Sequence, residues 1–255
     1  MNLYRCLLTE NDCYRAGRTI RPRGVMIHST GANNPWLHRY VAPDDGRLGA
    51  PSSRHWNQPG LSVCAHAFVG RLADGAVACY QTLPWTTRGW HAGRGRLGSA
   101  NDTHISMELC EDGLDDPGYF QAVYREAVEL TAHLCRTFGL DPLEEGVVLC
   151  HAEGHRRGVA SNHGDVLHWF PKFGKSMDDF RADVARSTKE EDPVTQEEFD
   201  AMLEDWLARR AALEAPGWAA PIIRAARDQG ITDGTRPQSP ATRQEVMAMI
   251  LAAQH

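Results

Sequence analysis

His104-Ile105-Ser106-Met107-Glu108-Leu109-Cys110 decides the fold class. Ile105, Met107 and Leu109 fall on one face of an extended segment, while His104, Ser106, Glu108 and Cys110 fall on the other. A strand with one wholly apolar face needs a layer to cover it, and the chain supplies one directly. Asp116-Pro117 reads as a helix cap followed by proline in the first turn. Phe120, Val123, Ala127, Leu130, Leu134 and Phe138 then recur at spacings of three and four, and Gly139 closes the helix. Further strand-length apolar runs flank this pair. Val25-Met-Ile-His28 follows Arg21-Pro-Arg-Gly24, and Val63-Cys-Ala-His-Ala-Phe-Val69 ends at Gly70. Val77-Ala-Cys-Tyr-Gln-Thr-Leu83 follows the hairpin signal Asp74-Gly75, and Val147-Val-Leu-Cys-His151 is a fifth candidate. A second helix is expected from Ser176, with Asp179 completing a capping box and Phe180 and Val184 buried. The expected class is α/β, a mixed central sheet flanked by helices.

At 255 residues, with 42% apolar and 24% charged residues, the chain has the composition of a globular protein with a sizeable core. Its formal charge of −6 excludes the global basicity of a nucleic-acid binder. No run of 18 apolar residues suggests a membrane span. The first 17 residues carry no readable export signal, so synthesis in the cytoplasm is expected. Of seven cysteines, Cys64, Cys79, Cys110 and Cys150 lie in apolar stretches and read as buried thiols of a reducing compartment.

Eleven of the twelve histidines precede residue 169, which places the histidine chemistry in the first two-thirds of the chain. Beyond it, Ser187-Thr-Lys-Glu-Glu-Asp-Pro193 is charged and ends in proline, and the sequence after it turns helical. The expected division is a catalytic domain at 1–187, a linker at 188–194 and a small all-α module at 195–255. Within the module, Thr195-Gln-Glu-Glu198 reads as a capping box opening one helix. Two more are expected at about 218–229 and 242–253. So short a segment lies near the lower limit for an independent core, so docking or homo-oligomerisation through its helices is expected.

His28 and His151 end two candidate strands, so their imidazoles would converge at one sheet edge. A hydrolytic zinc site uses three protein ligands and leaves one position for water. The loop after His151 offers Glu153, His155, His163 and Asp165 as the third. Glu108, on the polar face of its strand, is placed to accept a proton from the attacking water. His151-Ala-Glu-Gly-His155 also invites a helical two-histidine reading, but its glutamate is misplaced for that motif and Gly154 weakens a helix. Trp90-His91-Ala-Gly93 lies in a glycine-rich loop, where it reads either as lining a groove or, for Trp90, as a core anchor.

Taken in order, Val25-Met-Ile-His-Ser-Thr30, Ala65-His-Ala-Phe68, Trp90-His-Ala-Gly93, the 104–110 strand, Cys150-His151 and Ala160-Ser-Asn-His-Gly-Asp-Val-Leu-His-Trp169 resemble the zinc-dependent N-acetylmuramoyl-L-alanine amidases. These type-2 amidases are related to peptidoglycan recognition proteins, and here the pattern is of the phage-endolysin type. The resemblance spans about residues 20–186. It implies Zn²⁺ held by His28, His151 and Asp165, with His155 or His163 as the alternative third ligand. It implies Glu108 as the proton carrier and His163 as an oxyanion donor, and beside these His66, Trp90, His91 and Asn162 are the candidate substrate-binding residues. The implied substrate is bacterial peptidoglycan, reached after release from the cell. The rivals are a cytoplasmic amidase recycling wall fragments, a non-catalytic peptidoglycan-binding protein, and a peptidase of the stem peptide. Ile231-Thr-Asp-Gly234 with Thr242-Arg-Gln-Glu245 resembles a single S-layer-homology repeat, which implies binding to a secondary wall polymer.

Overall fold

A computed structural model describes residues 1–43, 46–189 and 196–253. The chain forms two compact units, Met1–Glu191 and Asp192–His255. Among the described residues no helix is long and apolar enough to cross a membrane.

The first unit is built on six strands, β1 (Leu3–Arg5), β2 (Gly24–Ser29), β3 (Ala67–Arg71), β4 (Val77–Gln81), β5 (His104–Leu109) and β6 (Val148–Cys150). They lie in the order β1-β4-β3-β5-β2-β6. Only the β3–β4 hairpin is antiparallel, so the sheet is mixed, as the alternating strands and helices led one to expect. The hairpin turns at Asp74-Gly75, where Gly75 takes φ +88° and the Asp74 carboxylate accepts from the Ala76 amide at 2.9 Å.

A one-turn helix, α1 (Asp12–Arg15), precedes β2, and α2 (Pro117–Phe138) covers one face of the sheet. The Asp116 side chain caps α2 by accepting from the Tyr119 amide at 3.0 Å, and Gly139 ends it at φ +64°. Phe120, Val123, Ala127, Leu130 and Leu134 pack with Val25, Ile27, Ile105, Met107 and Leu109 into the main core. Each large side chain so buried contributes roughly 1.5–3 kcal/mol. Helix α4 (Met177–Ser187) adds Phe180 and Val184 to the same core and opens on the expected Ser176–Asp179 capping box.

Three local expectations are corrected. His151 does not end a strand. It opens helix α3 (His151–Arg156), and Gly154 sits inside that helix because a Cβ there would lie 2.7 Å from Met26 Cε and 3.1 Å from Ala160 Cβ. Cys64 is not a thiol but is bonded to Cys13, 51 residues away. Cys79, Cys110 and Cys150 are buried free thiols. A disulfide persists in oxidising surroundings, so cysteine usage no longer argues for a reducing compartment. Strand β3 starts at Ala67 rather than Val63, since Cys64 is taken up by an isolated bridge to Trp90. Strand β1, three residues long, is too short for its periodicity to be read.

The second unit carries α5 (Gln196–Ala211), α6 (Ala220–Asp228) and α7 (Arg243–Ala252). Thr242 caps α7 with Glu245 reaching back, and Gly230 follows α6 at φ +72°. Neither α6 nor α7 buries a side chain. The expected linker residues 190–194, the Thr195 end of the expected capping box and His255 lie outside the described residues.

Candidate metal centre

Strand pairing brings the polar residues together. In the parallel pair β2–β5, His28 stands opposite Glu108. In β2–β6, Ile27 stands opposite Cys150, so His28 and His151 leave adjacent strands at the same level. All three side chains therefore gather at the carboxyl ends of three neighbouring parallel strands, where α/β sheets commonly hold their ligands. They lie on the face opposite α2, because Ile27, Ile105, Met107 and Leu109 alternate with them into the main core.

Asp165 enters from the loop after α3. Its Oδ2 lies 3.2 Å from His28 Nδ1 and 3.4 Å from His151 Nδ1, and the two Nδ1 atoms are 3.1 Å apart. A tetrahedral cation bound at about 2.0–2.1 Å sets its ligand atoms about 3.3 Å apart, so the triangle fits such an ion. Among the described residues these three form the group whose ligand atoms lie close enough to share a metal. The donor chemistry agrees. Two buried ring nitrogens facing one carboxylate oxygen and each other leave lone pairs aimed at one point, an arrangement a cation stabilises.

Electrostatics favour the ligand forms. Burial pushes His28 toward neutrality, partly offset by the Asp165 carboxylate beside it and reinforced by His151 nearby. Burial alone would raise the Asp165 carboxyl, but the His151 and His28 rings beside it outweigh that and hold the group well below the usual carboxylate range. Glu108 goes the other way. Burial, then the charges of Asp165 and Glu111, push its carboxyl well above the ordinary value. Its Oε2 is buried without a hydrogen-bond partner among the described residues, while the residue keeps a partly exposed edge.

The other expected site residues divide. His163 and Asn162 are exposed, with the His163 ring 4.6 Å from that of His151 in an edge-on arrangement. His155 is exposed, with its Nδ1 3.3 Å from the Ala160 carbonyl. Glu153 is tied to the Cys150 amide and Arg181. Neither therefore joins the triangle. Trp90 is 43% exposed and borders a hollow of about 310 Å³ with Arg18, Ser62 and Arg88.

Two corrections follow. His66 is wholly buried. Its Nε2 donates to the Thr87 carbonyl at 2.7 Å and its Nδ1 accepts from the Ser106 amide at 3.0 Å, so both nitrogens are spent inside the fold and it touches no substrate. His91 turns inward rather than toward a groove, its Nδ1 2.9 Å from His28 Nε2. Ser161, unnoticed in the sequence, places its Oγ 3.1 Å from His151 Nε2. A serine in the loop after α3 carries no periodic signal that would have singled it out.

Residues 18–167, more than half of the chain, match the family described as N-acetylmuramoyl-L-alanine amidase. No curated protein sequence matches the chain. Among solved structures, a mutant endolysin from Bacillus subtilis is similar at 22% identity and TM-score 0.51, over 72% of this chain and 99% of that one. The Staphylococcus aureus hydrolase AmiA, in complex with its ligand, is similar at 18% identity and TM-score 0.50, over 73% of this chain and 82% of that one. The catalytic domain of XlyA is similar at 21% identity and TM-score 0.50, over 72% and 99%. At these identities the likeness is one of fold.

Proposed function

The chain belongs to the N-acetylmuramoyl-L-alanine amidase family, and from that premise we propose that it is a zinc-dependent peptidoglycan hydrolase of the endolysin type. The bond cleaved is the amide between the lactyl group of N-acetylmuramic acid and L-alanine of the stem peptide. The observation that carries the reading is the triangle of His28 Nδ1, His151 Nδ1 and Asp165 Oδ2, with edges of 3.1–3.4 Å, beside Glu108, whose Oε2 is buried. His28, His151 and Asp165 would hold the ion. When bound, zinc supplies Lewis acidity toward the carbonyl and makes water nucleophilic near neutral pH.

Glu108 takes the proton of the attacking water as the C–O bond forms. It then delivers that proton to the departing nitrogen as the C–N bond breaks, leaving a lactyl carboxylate and a free L-alanine amine. The upward push on its carboxyl suits a group that must both take and give a proton. His163, exposed beside His151, is placed to steady the oxyanion. Removing one such donor costs on the order of 3 kcal/mol of barrier stabilisation. Trp90 and Asn162 are the surface residues offered to the substrate.

The domain at 1–187 is the catalytic part, and the helical segment at 195–255 serves to hold the enzyme on the wall. In support of the latter, a hollow of about 450 Å³ lined by Ile231, Asp233, Arg236 and Glu245 falls within the motif that resembles an S-layer-homology repeat. The Cys13–Cys64 disulfide favours action outside the cytoplasm over recycling of wall fragments within it. The deciding experiment is mass spectrometry of digested cell walls. New lactyl carboxyls paired with L-alanine amines are expected, with activity lost to a chelator and restored by Zn²⁺. New termini inside the stem peptide would overturn the reading.

A further inference from the structure

Residues Trp90–Gly93 run behind both imidazoles of the triangle, on the side away from Asp165. His91 Nδ1 lies 2.9 Å from His28 Nε2. One residue on, the Ala92 carbonyl accepts from the Ser161 amide at 2.9 Å and from its hydroxyl at 3.3 Å. The Ser161 Oγ is in turn 3.1 Å from His151 Nε2. An imidazole that offers its Nδ1 lone pair to a shared point carries its proton on Nε2, and that proton needs an acceptor. His91 Nδ1 and Ser161 Oγ are the two acceptors, and one loop controls both.

The loop is itself pinned. Asn101, wholly buried, accepts from the His91 and Ala92 amides at 2.8 Å each and donates to the Gly93 carbonyl at 3.1 Å. Gly93 has φ +61°, and a Cβ there would sit 2.7 Å from the Ser161 hydroxyl, so only glycine lets the serine approach.

We infer that His91 and Ser161 are positioning residues, which hold His28 and His151 in the Nε2-protonated form with both Nδ1 atoms aimed at one point. The inference rests on the zinc reading above, and its test separates the two. Zn²⁺ affinity is measured on the metal-free full chain by competition with a chromophoric chelator. In parallel, the tautomer of His28 in the metal-free protein is read from long-range ¹H–¹⁵N correlations. The unaltered chain is expected to bind one Zn²⁺ and to show His28 protonated on Nε2. His91→Ala is expected to weaken binding 10–100-fold, in the range usual for partners of metal-bound histidines, and to mix the tautomers. Ser161→Ala is expected to weaken binding by about tenfold while leaving the His28 tautomer as it was. His91→Gln, which keeps an acceptor oxygen, is expected to recover most of the affinity, and it stands in should His91→Ala not fold. An unchanged His28 tautomer in a folded His91→Ala overturns the inference. If His91→Ala folds and binds within twofold, the inference is overturned and the zinc reading stands. If His91→Ala does not fold, a twofold or smaller effect of Ser161→Ala overturns it. Failure of the unaltered chain to bind Zn²⁺ overturns both.

Discussion

His28 on β2 and His66 just before β3 lie on the same face of the sheet, with β5 between them, and both are closed to solvent. Their surroundings differ in one respect. His66 meets a donor at one nitrogen and an acceptor at the other, Ser106 and the Thr87 carbonyl. His104 is satisfied in the same manner, by Thr103 and the Gly146 carbonyl. His28 instead turns its Nδ1 toward another Nδ1 and a carboxylate. Burial is thus common to structural and functional histidines on this sheet. What separates them is whether the lone pairs are used up within the fold or converge on one shared point.

The strongest way to break this comparison is to exchange the roles. His28→Ala and His151→Ala are expected to lose bound zinc and to lower turnover by at least about 10³-fold. His66→Gln is expected to keep both within a small factor when folded. Metal analysis beside a wall-clearing assay would show it, and zinc loss in the folded His66 variant would erase the distinction. Next in size, Glu108→Gln should retain zinc but lose about 10²–10⁴-fold in turnover, since the amide cannot carry the proton. Full activity in that variant would remove Glu108 from the mechanism.

A smaller effect concerns stability. Burial lowers His66 to about 4, against its hydrogen bond to the Thr87 carbonyl. The unfolded chain, with its histidine near 6.5, then binds more protons between those values. The contribution is fully present above about pH 6.5 and is lost as pH falls toward 4, by roughly 3 kcal/mol. Denaturant midpoints of the metal-free protein across that range should fall toward acid, and His66→Gln should flatten the slope. An unchanged slope would mean that His66 is not held neutral. The smallest expected effect is at His155, whose exposed ring stands outside the triangle. His155→Ala should bind zinc and turn over within about twofold of the unaltered chain, as surface changes usually do. A large loss would return it to the ligand set.

Much of this was legible in the sequence because it is local. The alternation over 104–110 put Glu108 on the face away from the α2-covered core, since side chains along a strand must take opposite sides. Asp116 and Gly139 marked both ends of α2, because helix termini leave backbone groups that only certain residues satisfy. The proximity of His28 and His151 was legible from the strand-length apolar runs that lead into them, although His151 itself opens α3. Tertiary structure alone brought Asp165, rather than Glu153, His155 or His163, against both histidines. The start of α3 at His151 binds Glu153 to the cap and Arg181, leaves His155 against a carbonyl, and lets the following loop bring Asp165 back. It also decided that His66 is spent on Ser106 and Thr87, that His91 and Ser161 stand behind the triangle, and that Cys64 finds Cys13. Periodicity specifies which way a side chain faces. Which distant side chains meet depends on strand order and loop return, and these are settled by the whole sheet closing over its core.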